Sequence, residues 1–144
     1  MARLPADQAI TPMWLAHHYP EDYDRCVRLG RRHVCRRCLF LYVPAFATLG
    51  LALAGVRPAK AADGWLLVLL PLPGVVEFVA EHLRWSRYHP ALQAALAVPM
   101  GIALGIGFDR YLHHPGDLWF WGVVLVYGLV CLVAAVVGWR RASG

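Results

Sequence analysis

Cys35 and Cys38 stand two residues apart in "RRHVCRRCLFLY", residues 31 to 42, directly before a long apolar run. A C-x-x-C turn can supply two thiolates to a metal or cycle between dithiol and disulfide. Other soft ligands crowd the same stretch: His17, His18, Cys26 and His33 precede the pair. Six of the chain's eleven His and Cys residues thus fall between positions 17 and 38. Zinc takes four thiolate or imidazole ligands in a tetrahedron. The spacing therefore predicts a knuckle at Cys35 and Cys38, completed by His17 or His18 together with Cys26 or His33. A structural reading competes with it. Cys26 is then a small apolar residue, His17 and His18 are interfacial, and His33 pairs with an acid. A third reading makes Cys38 a redox thiolate, stabilised by a helix N-terminus and by Arg36 and Arg37.

Glu77 is the acid with the most to explain, because it falls inside an apolar segment. An unpaired carboxylate there costs at least ~2.5 kcal/mol on insertion scales, so it must face a partner, a cavity or the interior of a bundle. Glu77, Glu81, Arg84 and Tyr88 follow spacings of four, three and four, which is one stripe of a helix. Glu81 and Arg84 are expected to pair, and Arg25 and Arg37 to hold carboxylates, Glu77 among them. Were the metal catalytic, Glu77 would be the candidate base beside an open coordination position. The stretch "DRYLHHPGD" carries His113, His114 and two aspartates, and is read as a polar loop.

Four apolar segments position these groups, at about 39–56, 65–83, 90–108 and 118–139. Each approaches the roughly 20 residues a helix needs to cross a bilayer. "PLPG" interrupts the second, and Pro99 is expected to kink the third. With four spans, eleven of the 14 basic residues fall on the side of the termini and three on the other. That asymmetry places both termini in the cytoplasm. Trp65, Tyr111, Trp119 and Trp121 then mark the outer boundary, and Tyr42, Trp85, Tyr88 and Trp139 the inner one. Gly101 and Gly105, with Ala97 one turn before, form a small-residue stripe for helix packing or, alternatively, self-association.

The totals agree with a membrane chain. Of 144 residues, 59% are hydrophobic and 16% charged, and the mean hydropathy is +0.48. The net charge of +5 is carried almost wholly by arginine. Arginine gathers at cytoplasmic membrane ends, so nucleic acid is not expected as a partner. The first apolar run begins at Leu39, too late for a secretory leader. The fold class expected is an all-α four-helix membrane bundle (39–144) behind a cytoplasmic Cys/His cap (1–38). Within the cap, Pro20 and the acids after it start a helix that Gly30 stops, so a helix over Pro20–Leu29 is predicted. "MWL" at 13 to 15 is placed against the membrane surface.

"HHYPEDYDRCVRLGRRHVCRRCLFLY" resembles the opening motif of small bacterial membrane proteins grouped as domain-of-unknown-function family 2085, through His18, Pro20, Arg25, Gly30, Cys35, Arg37, Cys38 and Tyr42. That family's later elements resemble Glu77-Phe78 and Leu83-Arg84-Trp85-Ser86. His17 stands where the family has a cysteine, which exchanges one zinc-type ligand for another. Phe40 and Pro44 replace its usual glycines. The resemblance covers roughly residues 17 to 108. It implies a bacterial inner-membrane protein with a site at these residues, and it implies no reaction. A C-x-x-C in a four-span protein also resembles membrane thiol oxidases, but those place their cysteines on the oxidising face, and no second cysteine pair is present. The functional expectation is a zinc-binding membrane protein of structural, regulatory or accessory role. The alternatives are a metalloenzyme or transporter using Glu77, and a thiol–disulfide oxidoreductase.

Overall fold

The computed structural model describes residues 11–16 and 20–143. The chain divides into two compact units, Met1–Leu39 and Phe40–Gly144. In the first, α1 (Met13–Ala16) is one turn, and a 3-10 helix covers Pro20–Arg25. Strands β1 (Cys26–Leu29) and β2 (Arg32–Cys35) follow as an antiparallel hairpin. Helix α2 (Arg36–Leu53) starts with no linker after β2. The second unit continues with α3 (Lys60–Leu69), α4 (Leu72–His82), α5 (Pro90–His113) and α6 (Leu118–Ser143).

Two expectations change in the first unit. The fold is mostly helical but includes a two-stranded sheet, so it is not all-α. The helix expected over Pro20–Leu29 stops at Arg25, and Cys26 begins a strand. Val27 and Val34, β-branched partners across the hairpin, fit a half-buried pleat better than a helix. Gly30 is not a helix stop but the first residue of a two-residue hairpin turn. It has φ 61°, and Arg31 beside it is not left-handed. A glycine in that place matches the twist of the flanking strands.

In the second unit, four stretches are long and apolar enough to cross a membrane: Arg36–Leu53, Lys60–His82, Pro90–His113 and Leu118–Arg141. Their outward faces are apolar, with Leu125, Leu129 and Leu132 of α6 each about 60% exposed or more. The small residues face inward instead. A Cβ on Gly101 would run into the Leu41 carbonyl oxygen and Pro44, and one on Gly105 into the Ala45 carbonyl oxygen. The stripe at 101 and 105 is therefore buried against α2, where it lets two backbones approach.

The "PLPG" segment divides the second span at Leu70–Pro71, between α3 and α4. Pro71 and Pro73 each lack the N–H that would bond back four residues, and two such losses within one turn end the ladder here, whereas single prolines at 44 and 99 leave α2 and α5 continuous. The Val68 carbonyl at the break accepts a hydrogen bond from the Tyr127 hydroxyl of α6 at 2.8 Å. In an apolar surrounding such a carbonyl needs a partner from another element. Helix α5 runs on through Pro99 and reaches His113, five residues past the expected end of its span.

Helices α2 and α4 end with the same bond pattern. Gly55 N–H reaches the Ala52 carbonyl at 3.0 Å and Val56 N–H the Leu51 carbonyl at 2.9 Å, with Gly55 at φ 93°. At the end of α4, Arg84 N–H reaches Glu81 at 3.1 Å and Trp85 N–H reaches Ala80 at 2.8 Å. The left-handed position there is taken by Arg84, at φ 61°. A non-glycine residue pays about 1–2 kcal/mol for that conformation.

Candidate functional site

The hairpin arranges the cysteines by register. Cys26 faces Cys35, Val27 faces Val34, Arg28 faces His33, and Leu29 faces Arg32 across the turn. Side chains alternate across a strand, so Cys26, Arg28, His33 and Cys35 share one face. Opposed pairs also alternate between hydrogen-bonded and non-hydrogen-bonded. Counting from the turn, Cys26–Cys35 falls on a non-hydrogen-bonded position, where Cα atoms come closest, about 4.5 Å in regular sheets. Cys38 follows on the first turn of α2. Its thiol is hydrogen-bonded with that of Cys35 and lies within electrostatic range of Cys26. Three of the four cysteines are thus neighbours, and all four are free thiols.

The surroundings hold this face in place. Cys26 and Cys35 are buried. The Cys26 thiol points to the carbonyl oxygen of Ala16 at 3.8 Å, and Ala16, the residue before His17, is fully buried. The His33 ring stacks on Tyr23, centroids 4.1 Å apart. Buried Thr11 links the two: its N–H donates to the Tyr23 hydroxyl at 3.1 Å, and its hydroxyl accepts from His33 N–H at 2.9 Å. His33 Nδ1 is buried and has no hydrogen-bond partner among the described residues. Among the described residues, no group of three or more His, Cys, Asp or Glu side chains is arranged to hold a metal ion. His17 and His18, expected as ligands, lie outside the described residues.

The remaining expected residues sit as follows. Glu77 is half-buried in α4, in the second unit, and Arg25, Arg37, Glu77 and Glu81 are each engaged in interactions. Gln93, buried in α5, donates to Glu81 Oε2 at 3.5 Å, a long contact. Arg84 meets Glu81 through the backbone bond that ends α4. Cys131 lines an apolar crevice of about 240 Å³ in the second unit, with Leu67, Val75, Met100 and Phe120.

One charged constellation was not foreseen. Arg110 donates from Nε and Nη2 to both oxygens of Asp117, at 3.0 and 2.6 Å, and from Nη1 to Asp63 at 2.7 Å. The three residues come from α5, the α5–α6 turn and α3. Asp117 also caps α6, accepting from Phe120 N–H at 2.8 Å. The Arg110 guanidinium, helped by that N–H, holds the Asp117 carboxyl below the usual carboxylate range against the opposing effect of burial. Beside it, Arg57 grips buried Asp109 through both oxygens, at 2.9 and 3.0 Å. His113 Nδ1 lies 2.7 Å from the Asp109 carbonyl and Nε2 lies 3.0 Å from Arg57 Nη2. A carbonyl only accepts and a guanidinium only donates, so both contacts are satisfied at once by neutral His113 protonated on Nδ1. Trp65 and Trp119 meet here at 6.0 Å, and Tyr111 and Trp121 at 6.1 Å. The signal existed in the sequence. Asp63, Arg110 and Asp117 all border apolar segments that the four-span count assigns to one side.

Compared with protein-family models, curated proteins and solved structures, the chain matches none.

Proposed function

We propose that this chain is a small integral membrane protein whose N-terminal hairpin binds zinc in a structural or regulatory role. The observation that carries the reading is the placing of Cys26, Cys35 and Cys38 on three successive elements, on the hairpin face that also carries His33. The described side chains are not themselves arranged as a metal site, so binding would require the thiols to turn toward a shared ion. Three thiols are one short of the four ligands zinc takes in structural sites. His33, His17 or His18 would complete the set, the last two being the next residues after Ala16. Binding would replace weak thiol hydrogen bonds with metal–thiolate bonds and would tie β1, β2 and the start of α2 together. The arginine asymmetry supports a cytoplasmic site, and the resemblance given above supports a bacterial inner membrane.

Metal analysis of detergent-purified, reduced protein tests this. Stoichiometric zinc is expected, lost in Cys35→Ser and Cys38→Ser and kept in Cys131→Ser. Wild-type protein without bound metal would overturn it. One observation favours a second reading. The Cys26–Cys35 position suits a cross-strand disulfide, since the usual Cα separation for that bond is about 4.4–6.8 Å. Acid-trapped cells would then contain Cys26 and Cys35 joined, whereas the zinc reading expects them reduced.

A further inference from the structure

The proposed metal site concerns the base of the hairpin, not its tip. Arg28, Leu29, Gly30, Arg31 and Arg32 are all exposed, and Leu29 is 52% exposed. Arg28 bends back to donate from Nε to the Gly30 carbonyl at 3.1 Å. Among the described residues, none of these three arginines makes an ion pair. Alternation puts Arg28 on one face and Arg32 with Leu29 on the other, with Arg31 in the turn between them. The tip therefore presents positive charge on both faces around a single apolar side chain.

We propose that this tip docks onto anionic phospholipid headgroups of the membrane in which the chain sits. This rests on the membrane reading, not on the metal. Reach permits it. β2 passes into α2 without a linker, and α2 is the first stretch able to cross a bilayer. A four-residue strand spans roughly 13 Å, so chain connectivity keeps the tip within about one strand length of the start of α2. Chemistry selects the headgroup. Guanidinium forks fit phosphate oxygens, and an apolar residue flanked by arginines can dip toward the acyl boundary. Single-stranded nucleic acid would instead want exposed aromatic platforms. The hairpin strands carry no aromatic ring beyond His33, and His33 is already stacked on Tyr23.

The test uses the full chain in nanodiscs of phosphatidylcholine alone, or of phosphatidylcholine with phosphatidylglycerol. Amide hydrogen exchange is followed at Gly30 to Arg32. Phosphatidylglycerol is expected to slow exchange at the tip by about 30-fold or more, the factor for two or three arginines at about 1 kcal/mol each near a charged surface. Arg31→Gln/Arg32→Gln should abolish the slowing, and bound metal measured on the same samples should not change. Inorganic phosphate added to phosphatidylcholine discs should give no protection. Equal exchange in both lipids would overturn the proposal. So would slowing that survives the double substitution, protection by free phosphate, or protection that appears only when an acidic protein is supplied. Failure of the membrane reading would show separately, as a chain that does not co-elute with the discs.

Discussion

Arg110, Arg57 and their aspartates are joined by short charge-assisted bonds, whereas the thiols of Cys26, Cys35 and Cys38 meet through sulfur hydrogen bonds. In the first region each guanidinium contacts carboxylate oxygens at 2.6 to 3.0 Å, and His113 uses both ring nitrogens. In the second, the thiols share sulfur hydrogen bonds. Each region also holds one buried polar atom with no hydrogen-bond partner among the described residues, Asp63 Oδ1 in the first and His33 Nδ1 in the second. The difference follows from what each group costs to bury. A charge withdrawn from water must be paired inside the fold or it destabilises the fold by several kcal/mol. A thiol behaves as a small apolar group and can be left with spare bonding capacity. The charged region is thus a structural clamp built of strong bonds, with Asp63 Oδ1 its one buried oxygen that has no partner among the described residues, and the cysteine region is joined by weaker bonds.

The comparison can be broken most directly at Arg110. Arg110→Ala strands Asp63 and Asp117, and should destabilise the fold by about 3 kcal/mol, the low end for broken buried pairs because these side chains are about one-fifth exposed or less. Denaturation in detergent reads this, and a loss under about 1 kcal/mol would show that the cluster is not a clamp. A smaller effect is expected at Arg57, whose side chain is 44% exposed. Arg57→Ala should cost about 1 kcal/mol, because solvent screens the pair.

Acid should sharpen the contrast. The folded-state carboxyl of Asp117 is depressed, so its contribution is present above the ordinary Asp value of about 3.9 and is lost as pH falls from there through the folded value. Wild type should lose stability relative to Asp117→Asn across that window, and the two should keep a constant difference at neutral pH. A gap that does not narrow in acid would mean that Asp117 acts only as a helix cap. The smallest effects belong to the other region. In metal-free protein, Cys26→Ala should change unfolding by less than about 1 kcal/mol, since only a weak sulfur bond and a little volume are removed. A larger loss would show that the thiols are structural in their own right. Arg84→Gly, at the left-handed end of α4, should stabilise by about 0.5–1 kcal/mol.

Much of the fold was legible because apolar length is a local property. Four runs of apolar residues give four helices able to cross a membrane, and the breaks fall at "PLPG" and before Pro90, as ring chemistry dictates. The hairpin was misread from a true signal. Pro20 does begin a helical turn, but Gly30 serves either a helix end or a hairpin turn, and the register of Cys26 against Cys35 chose between them. The charged cluster was hidden for a different reason. Arg57 and Asp109 lie 52 residues apart, and Arg110 and Asp63 lie 47 apart. Residue types and spacing alone determined the four long apolar helices and which residues are chemically capable, but not the hairpin. Tertiary structure decided which of them meet, because a hydrogen bond of 3 Å depends on how helices pack, and packing is a property of the whole bundle rather than of any segment.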